Sequence, residues 1–131
     1  MLVESGKSNK EKGFTLLEVL IAISIFAIGI LAIASMQITA IGGNTSARTH
    51  TEAATWAADR VERLMALPYN HPDLDAANNP HPATEGVYNI VWNVTDNTPI
   101  TNTKTITVIV TWNTRGANRS VSMQHVIPQI L

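Results

Sequence analysis

The sequence predicts an α+β protein in which a long N-terminal helix is followed by a small antiparallel β-sheet of about three strands. Three patterns support this class: no residue between Val19 and Met36 is charged, residues 44–67 show helical spacing, and residues 87–131 alternate with period two. With 131 residues, the chain has room for about one domain. The part outside the apolar run can therefore bury only a small core.

The apolar run lies in "KEKGFTLLEVLIAISIFAIGIL", residues 10–31, and continues to about Ile41. A buried helix of a soluble protein is usually shorter and has a polar stripe. A secretory signal has a shorter apolar region and a cleavage site after it. About 20 residues span a bilayer, so two interpretations remain: a simple membrane anchor, or an anchor that is cleaved before the apolar run.

The charges that flank this run predict its orientation. Lys7, Lys10 and Lys12 precede the run, whereas the arginines after it are interleaved with acidic residues. A bias of lysine towards one membrane flank favours a cytoplasmic N-terminus. We therefore expect the C-terminal part to lie on the other side of the membrane.

Glu18 is the unusual residue of this segment, because a carboxylate in a spanning helix costs about 2.5–3.5 kcal/mol near the centre and less near an end. One interpretation is that Glu18 reaches to the membrane interface. The other is that it meets a cation. A cut between Gly13 and Phe14 would create an ammonium group on Phe14, and an ammonium and a carboxylate in the same apolar layer relieve each other's desolvation.

The stretch "KGFTLLEVLIA" resembles the N-terminus of type IV prepilins. The resemblance implies that a prepilin peptidase cuts after Gly13 on the cytoplasmic side and methylates the new N-terminus at Phe14. It also implies that Glu18 pairs with a neighbouring subunit's N-terminus during assembly. The continuation "AIGILAIASMQITAI" and "EAATWAADRVERLMALPY" is similar to the PilV-type minor pilins.

This resemblance implies a structural subunit, not an enzyme, that helps to prime pilus assembly. The implied partners are the prepilin peptidase/methyltransferase, other minor and major pilins, and the inner-membrane assembly platform. The implied location is the bacterial inner membrane with a periplasmic C-terminal domain, and the cell surface after assembly. Type II secretion pseudopilins share the motif, so a minor pseudopilin stays open, as does a monomeric membrane-anchored binding module.

The expected organisation has five segments: a leader (1–13), a membrane or filament-core half of the helix (14–43), an amphipathic half (44–67), a connecting loop (68–86) and the sheet (87–131). The helix should run from about Thr15 to Leu67, since Pro68 disfavours helix in the residue before it. Its apolar face is predicted from seven positions: Ala47, Ala54, Ala57, Ala58, Val61, Leu64 and Met65.

The chain departs from the pilin pattern at two points. Ser35 stands where many major pilins have a helix-kinking proline, although Gly29 and the pair Gly42-Gly43 could still soften the helix. There is no cysteine, so no disulfide can hold the C-terminal region, and strand pairing must do so.

Residues 68–86, "PYNHPDLDAANNPHPATEG", contain four prolines and three asparagines and are predicted to form a solvated loop that bends freely. His71, Asp73, Asp75 and His81 are possible metal ligands. The glycine and later ligands of a calcium loop are missing, and no metal or other cofactor is predicted.

The three predicted strands centre on residues 87–94, 105–112 and 120–125, with turns at "DNTPITN" and "TRGAN". The face with Trp92 and Trp112 should cover the amphipathic helix, and His125 should be a packed or edge residue. No G-x-S-x-G, phosphate-loop or zinc-helix motif is present. The net charge is −1, so no nucleic-acid partner is predicted, and Arg115 and Arg119 form at most a small basic tip.

Overall fold

The computed structural model of the protein describes residues 13–129. Its main elements are α1 (Leu16–Met65), β1 (His81–Glu85), β2 (Tyr88–Asp96), β3 (Thr103–Thr114) and β4 (Ala117–Pro128), with two short 3₁₀ turns at Pro72–Leu74 and Ala76–Asn78. The chain divides into two compact units, residues 1–42 and residues 43–131. The predicted leader, apart from Gly13, lies outside the described residues.

In the first unit, α1 exposes its apolar side chains on all sides. Every large hydrophobic residue from Phe14 to Ile41 is at least 44% exposed. Among the described residues, α1 is the helix that is long and apolar enough to cross a membrane. The hydroxyls of Ser24 and Thr39 donate to the carbonyls of Leu20 and Ser35, at 2.8 and 3.1 Å, so these polar groups are satisfied inside the helix, as an apolar surrounding requires.

The glycines of α1 do not interrupt it. The helix is continuous from Leu16 to Met65, through Gly29, Gly42 and Gly43. The softening that these glycines could have allowed is therefore not observed, and the end of α1 lies within two residues of the predicted one.

In the second unit, α1 buries a narrow stripe of four residues against the sheet: Ala53, Ala57, Val61 and Leu64. Two of the predicted face positions are wrong, because Ala47 and Met65 are exposed. Ala53 was missed, and Ala54 and Ala58 are only partly buried. Spacings of four, four and three residues keep these side chains in one line on the sheet, and the residues of the second unit's part of α1 that lie off this line are exposed or only partly buried.

The sheet is an antiparallel meander of four strands in the order β1-β2-β3-β4. Trp92 and Trp112 are 5% and 4% exposed and belong to the core with the α1 stripe, which confirms the predicted face. They share this core with buried aliphatic residues of the same two strands: Ile90, Val94, Ile106, Val108 and Val110. The predicted α+β class is confirmed.

The predicted count of about three strands is wrong, because β1 lies inside the stretch that was predicted as loop. It pairs with β2 from His81↔Trp92 to Glu85↔Tyr88. The strand was not predicted because it contains Pro82, and proline within a short run argues against a strand. An edge strand tolerates proline, since one of its sides has no neighbour to which an N–H must donate.

The expectation that the loop bends freely is also wrong. Leu74 is fully buried, and its carbonyl accepts a bond from Lys104 Nζ at 2.6 Å. The carbonyl of Asp73 accepts from Trp92 Nε1 at 2.9 Å, and Asn79 exchanges two bonds with the backbone of Val94 at 2.7 and 2.8 Å. These contacts fix residues 73–79 on the sheet.

Strand pairing holds the C-terminal region, as predicted for a chain without disulfides. All residues of β4, from Ala117 to Pro128, pair with β3. His125 lies on this edge strand opposite Ile106 and is partly buried, which confirms its prediction as a packed or edge residue.

Replacing Trp92 with alanine is expected to lower the stability of a soluble fragment 44–131 by about 3 kcal/mol or more, because the indole is buried and its N–H is bonded. For a domain of this size the melting temperature should fall by about 12 °C or more. Trp56→Ala is the matched control, since Trp56 is only partly buried and should cost less. Thermal unfolding followed by circular dichroism measures both; an unchanged melting temperature for Trp92→Ala would contradict the prediction.

Candidate N-terminal processing and assembly site

The junction between Gly13 and Phe14 is open to solvent and lies before the first turn of α1. Neither residue is in regular structure, and Phe14 is 83% exposed. A Cβ built on Gly13 would meet no atom within 4 Å. Nothing in the described residues therefore requires glycine at this position, and the peptide bond after it is accessible to an enzyme.

Thr15 caps the helix that starts after this junction. The N–H of Glu18 donates to Thr15 Oγ1 at 3.2 Å, and the N–H of Val19 donates to the carbonyl of Thr15 at 3.2 Å. Thr15 and Glu18 have the spacing of a capping box, in which an N-cap hydroxyl binds the third helical N–H. Sequence reasoning missed this role of Thr15, although the pattern Thr-x-x-Glu before an apolar run carries the signal.

Glu18 lies in the first turn of α1 and is exposed. A negative charge there is favourable with the helix dipole, by about 0.3–1 kcal/mol at an exposed site. Among residues 13–129, no cationic group lies within ion-pair distance of its carboxylate. The carboxylate thus has a local role at the helix start and is free to meet a cation from elsewhere.

The three predicted site residues are therefore grouped at one end of α1. Gly13 and Phe14 form the junction, Glu18 follows in the first turn, and Thr15 joins them as the cap. Chemically this is an exposed peptide bond next to an accessible helix start that carries a carboxylate, with exposed apolar side chains around it.

Residues 8–34 match a protein-family model described as a prokaryotic N-terminal methylation motif. The match supports a type IV prepilin-like protein, either a pilin or a pseudopilin. It includes the Gly13–Phe14 junction, the Thr15 cap, Glu18 and the first part of α1, about a fifth of the chain. No curated protein and no solved structure matches the chain.

The match also bears on other expectations. It points to a structural family that is typically non-enzymatic, and with the apolar α1 it supports membrane anchoring. It implies processing by a prepilin peptidase and assembly with pilins. The PilV-type subgroup, the individual partners and the side of the membrane stay predictions.

The four residues considered as metal ligands have other contacts. His71 Nδ1 accepts the N–H of Asp73 at 3.1 Å, and Asp75 Oδ1 accepts that of Ala77 at 3.0 Å. His81 Nε2 lies 3.0 Å from the carbonyl of Asp75, and its ring stacks on Trp92. Within the described part of the chain, no group of three or more His, Asp or Glu side chains could hold a metal ion.

The second unit has an open apolar groove of about 530 Å³ between α1 and the β1–β2 turn. Its lining includes Glu52, Trp56, Val87 and Tyr88. The hydroxyl of Tyr88 donates to Glu52 Oε2 at 2.8 Å. This bond, together with the bond from Arg48, lowers the pKa of Glu52, while burial and the same carboxylate raise the pKa of Tyr88.

Proposed function

We propose that this protein is a minor type IV pilin, a membrane-anchored structural subunit that is cut between Gly13 and Phe14, N-methylated on Phe14, and then helps to prime pilus assembly. The observation that carries the proposal is an accessible Gly–Phe junction directly before a helix whose large apolar side chains, as far as Ile41, are all exposed. Such a surface needs either lipid or neighbouring helices to cover it.

The position of the junction suits a cut that leaves the helix intact. Thr15 is the second residue after the proposed cleavage point, so the cap and Glu18 both stay in the mature chain. The three lysines of the leader are removed. After the cut, the cation nearest to the helix start is the new amino group on Phe14.

Glu18 is proposed to pair with the amino group of a neighbouring subunit. Glu18 has no cationic partner among residues 13–129, and an unpaired carboxylate in an apolar layer is costly. Pairing with an ammonium group at the same depth would relieve that cost and set the axial register between two helices.

Minor status is proposed from the small sheet, the absence of a disulfide and the resemblance of the second half of α1 to PilV-type minor pilins. A freely bending loop would also have favoured minor status, but residues 73–79 are bonded to the sheet. The loop therefore gives no support for minor status. A minor pseudopilin of a type II secretion system is the nearest alternative, since the N-terminal motif is common to both.

Mass spectrometry of sheared surface filaments tests the proposal. We expect peptides of this protein at low stoichiometry, and loss or sharp reduction of surface pili when the gene is deleted, because a priming subunit acts early and in few copies. If this protein is the most abundant pilin, minor status is wrong. If deletion leaves pili unchanged and instead stops protein secretion, the pseudopilin alternative is correct.

A monomeric membrane-anchored binding module is a second candidate, and the apolar groove at Trp56 and Tyr88 favours it. Such a module would use the groove for a ligand and would need no partner for Glu18. Detection of this protein in filaments separates the two, because a monomeric anchor stays in the membrane fraction.

A further inference from the structure

A small pocket of about 160 Å³ in the second unit is surrounded by hydrogen-bond donors. The part of α1 that follows Gly43 supplies Ser46 and His50, the β3–β4 turn supplies Arg115, the start of β4 supplies Arg119, and Trp112 of β3 is also part of the lining. No carboxylate lines this pocket. A ligand that fits this chemistry carries negative charge and accepts several hydrogen bonds.

The two arginines differ from the other cations of the described chain. Arg48, Arg60, Arg63 and Lys104 each lie within 4.0 Å of a carboxylate oxygen. Within residues 13–129, Arg115 and Arg119 are the cations that no carboxylate contacts, and both are exposed. Two unpaired guanidinium groups beside one pocket form a favourable electrostatic environment for an oxyanion.

The lining also contains an unsatisfied buried donor. Trp112 is 4% exposed, and its Nε1 has no hydrogen-bond partner in the described part of the chain. Trp92, the other buried indole, donates to the carbonyl of Asp73. Buried indole N–H groups usually have a partner, and this unpaired one belongs to a side chain that lines the pocket.

The conformation of the turn adds a further observation. Arg115 has a positive φ of 51° and Gly116 one of 78°, which makes the β3–β4 connection a two-residue turn that normally takes Asn-Gly or Asp-Gly. An arginine in this left-handed position is strained. Asn or Asp at position 115 would adopt this backbone conformation more easily. The chain has an arginine there instead, and the side chain of Arg115 lines the pocket.

We propose that this pocket binds a phosphate group, and that a phospholipid headgroup supplies it. Ser46 follows Ile41, the last large apolar residue of the first unit, by five residues, so at most about 18 Å of chain separates Ser46 from the end of the apolar run. At the surface of a phospholipid bilayer, the phosphate groups of the headgroups are the most concentrated anions. The proposal that a lipid headgroup supplies the phosphate rests on the membrane anchoring in the proposed function. The proposal that the pocket binds phosphate does not depend on it.

Indole N–H signals in a ¹H–¹⁵N NMR spectrum test phosphate binding on the full chain in uncharged detergent micelles. Titration with inorganic phosphate, at constant ionic strength, should shift the Trp112 signal saturably and leave the Trp92 signal in place. Arg119→Gln should weaken the apparent affinity about tenfold. Arg48→Gln is the matched control, because it removes an equal charge from an exposed site outside the pocket, and it should change the affinity less than twofold.

Lipid nanodiscs then identify the source of the phosphate. In discs of phosphatidylglycerol the Trp112 signal should already have its bound position, whereas in discs of an uncharged glycolipid without phosphate it should titrate as in micelles. Equal titration in both discs overturns the lipid source and leaves free phosphate as the ligand. No saturable shift in micelles, or equal weakening by Arg48→Gln and Arg119→Gln, overturns the pocket itself. Neither the micelle titration nor the nanodisc titration requires pilus assembly. Their results can therefore be interpreted even if the protein does not prime pili.

Discussion

Replacing Gly13 with valine is expected to abolish processing, so that protein extracted from membranes keeps its N-terminus at Met1. The unsubstituted protein should begin at Phe14 and be shorter than the translation product by 13 residues. The physical reason is steric: a β-branched side chain next to the scissile carbonyl is expected to clash in the active site of the peptidase. Intact-mass spectrometry and N-terminal sequencing measure the outcome.

The structure makes this substitution a clean test of the peptidase. A Cβ at position 13 meets no atom within 4 Å, and Gly13 has no left-handed φ. Valine should therefore leave the described chain undisturbed, and a defect in processing would come from recognition. Gly29→Val is the matched control, since Gly29 also has free space around it but lies outside the junction; it should be processed normally. Protein that starts at Phe14 in the Gly13→Val variant, or an intact Met1 in the unsubstituted protein, would contradict the prediction.

The fold was predictable where a single pattern dominates. The uncharged run, the helical spacing and the alternating strands each depend on one periodicity, and Trp92 and Trp112 lie in the core as the alternation predicts. The predicted face of α1 was too wide, because alanines at neighbouring positions look alike in sequence. Only packing against the sheet separates buried Ala53 from exposed Ala47.

The loop was the least predictable part, since its order comes from distant partners. Lys104, Trp92 and Val94 hold residues 73–79 through bonds that join positions 15 to 30 apart in the chain. No local pattern of prolines and asparagines contains that information. For the site, Gly13, Phe14 and Glu18 came from a motif, and the structure adds the Thr15 cap; their role between subunits concerns more than one chain and stays a prediction.

Replacing Glu18 with valine is expected to leave membrane insertion intact or improve it, yet to exclude the subunit from assemblies with other pilins. Removing a carboxylate from the apolar segment lowers the cost of insertion. In the proposed filament, however, a neighbour's N-terminal ammonium would lose its partner and remain uncompensated in an apolar layer, which is strongly unfavourable. Co-purification with partner pilins, normalised to the amount in the membrane, measures the effect.

The Thr15 cap creates a competing explanation that the experiment must separate. Glu18 stands at the third helical position after Thr15, where a carboxylate also favours the helix start. Glu18→Gln keeps a side chain that suits the capping box and removes only the charge. Thr15→Val removes the hydroxyl that caps the Glu18 N–H and keeps the charge.

The two roles therefore predict opposite results for the two variants. If Glu18 pairs with an ammonium group of a neighbour, Glu18→Gln should be excluded from assemblies as strongly as Glu18→Val, and Thr15→Val should assemble. If Glu18 serves the helix start, Glu18→Gln should assemble and Thr15→Val should share the defect. We expect the first pattern, because losing a helix cap costs about 1 kcal/mol, whereas an unpaired charge within apolar surroundings costs several times more. If Glu18→Gln and Glu18→Val both co-purify normally with partner pilins, Glu18 is only a membrane-interface residue. The proposal that it sets the register between neighbouring helices would then be wrong.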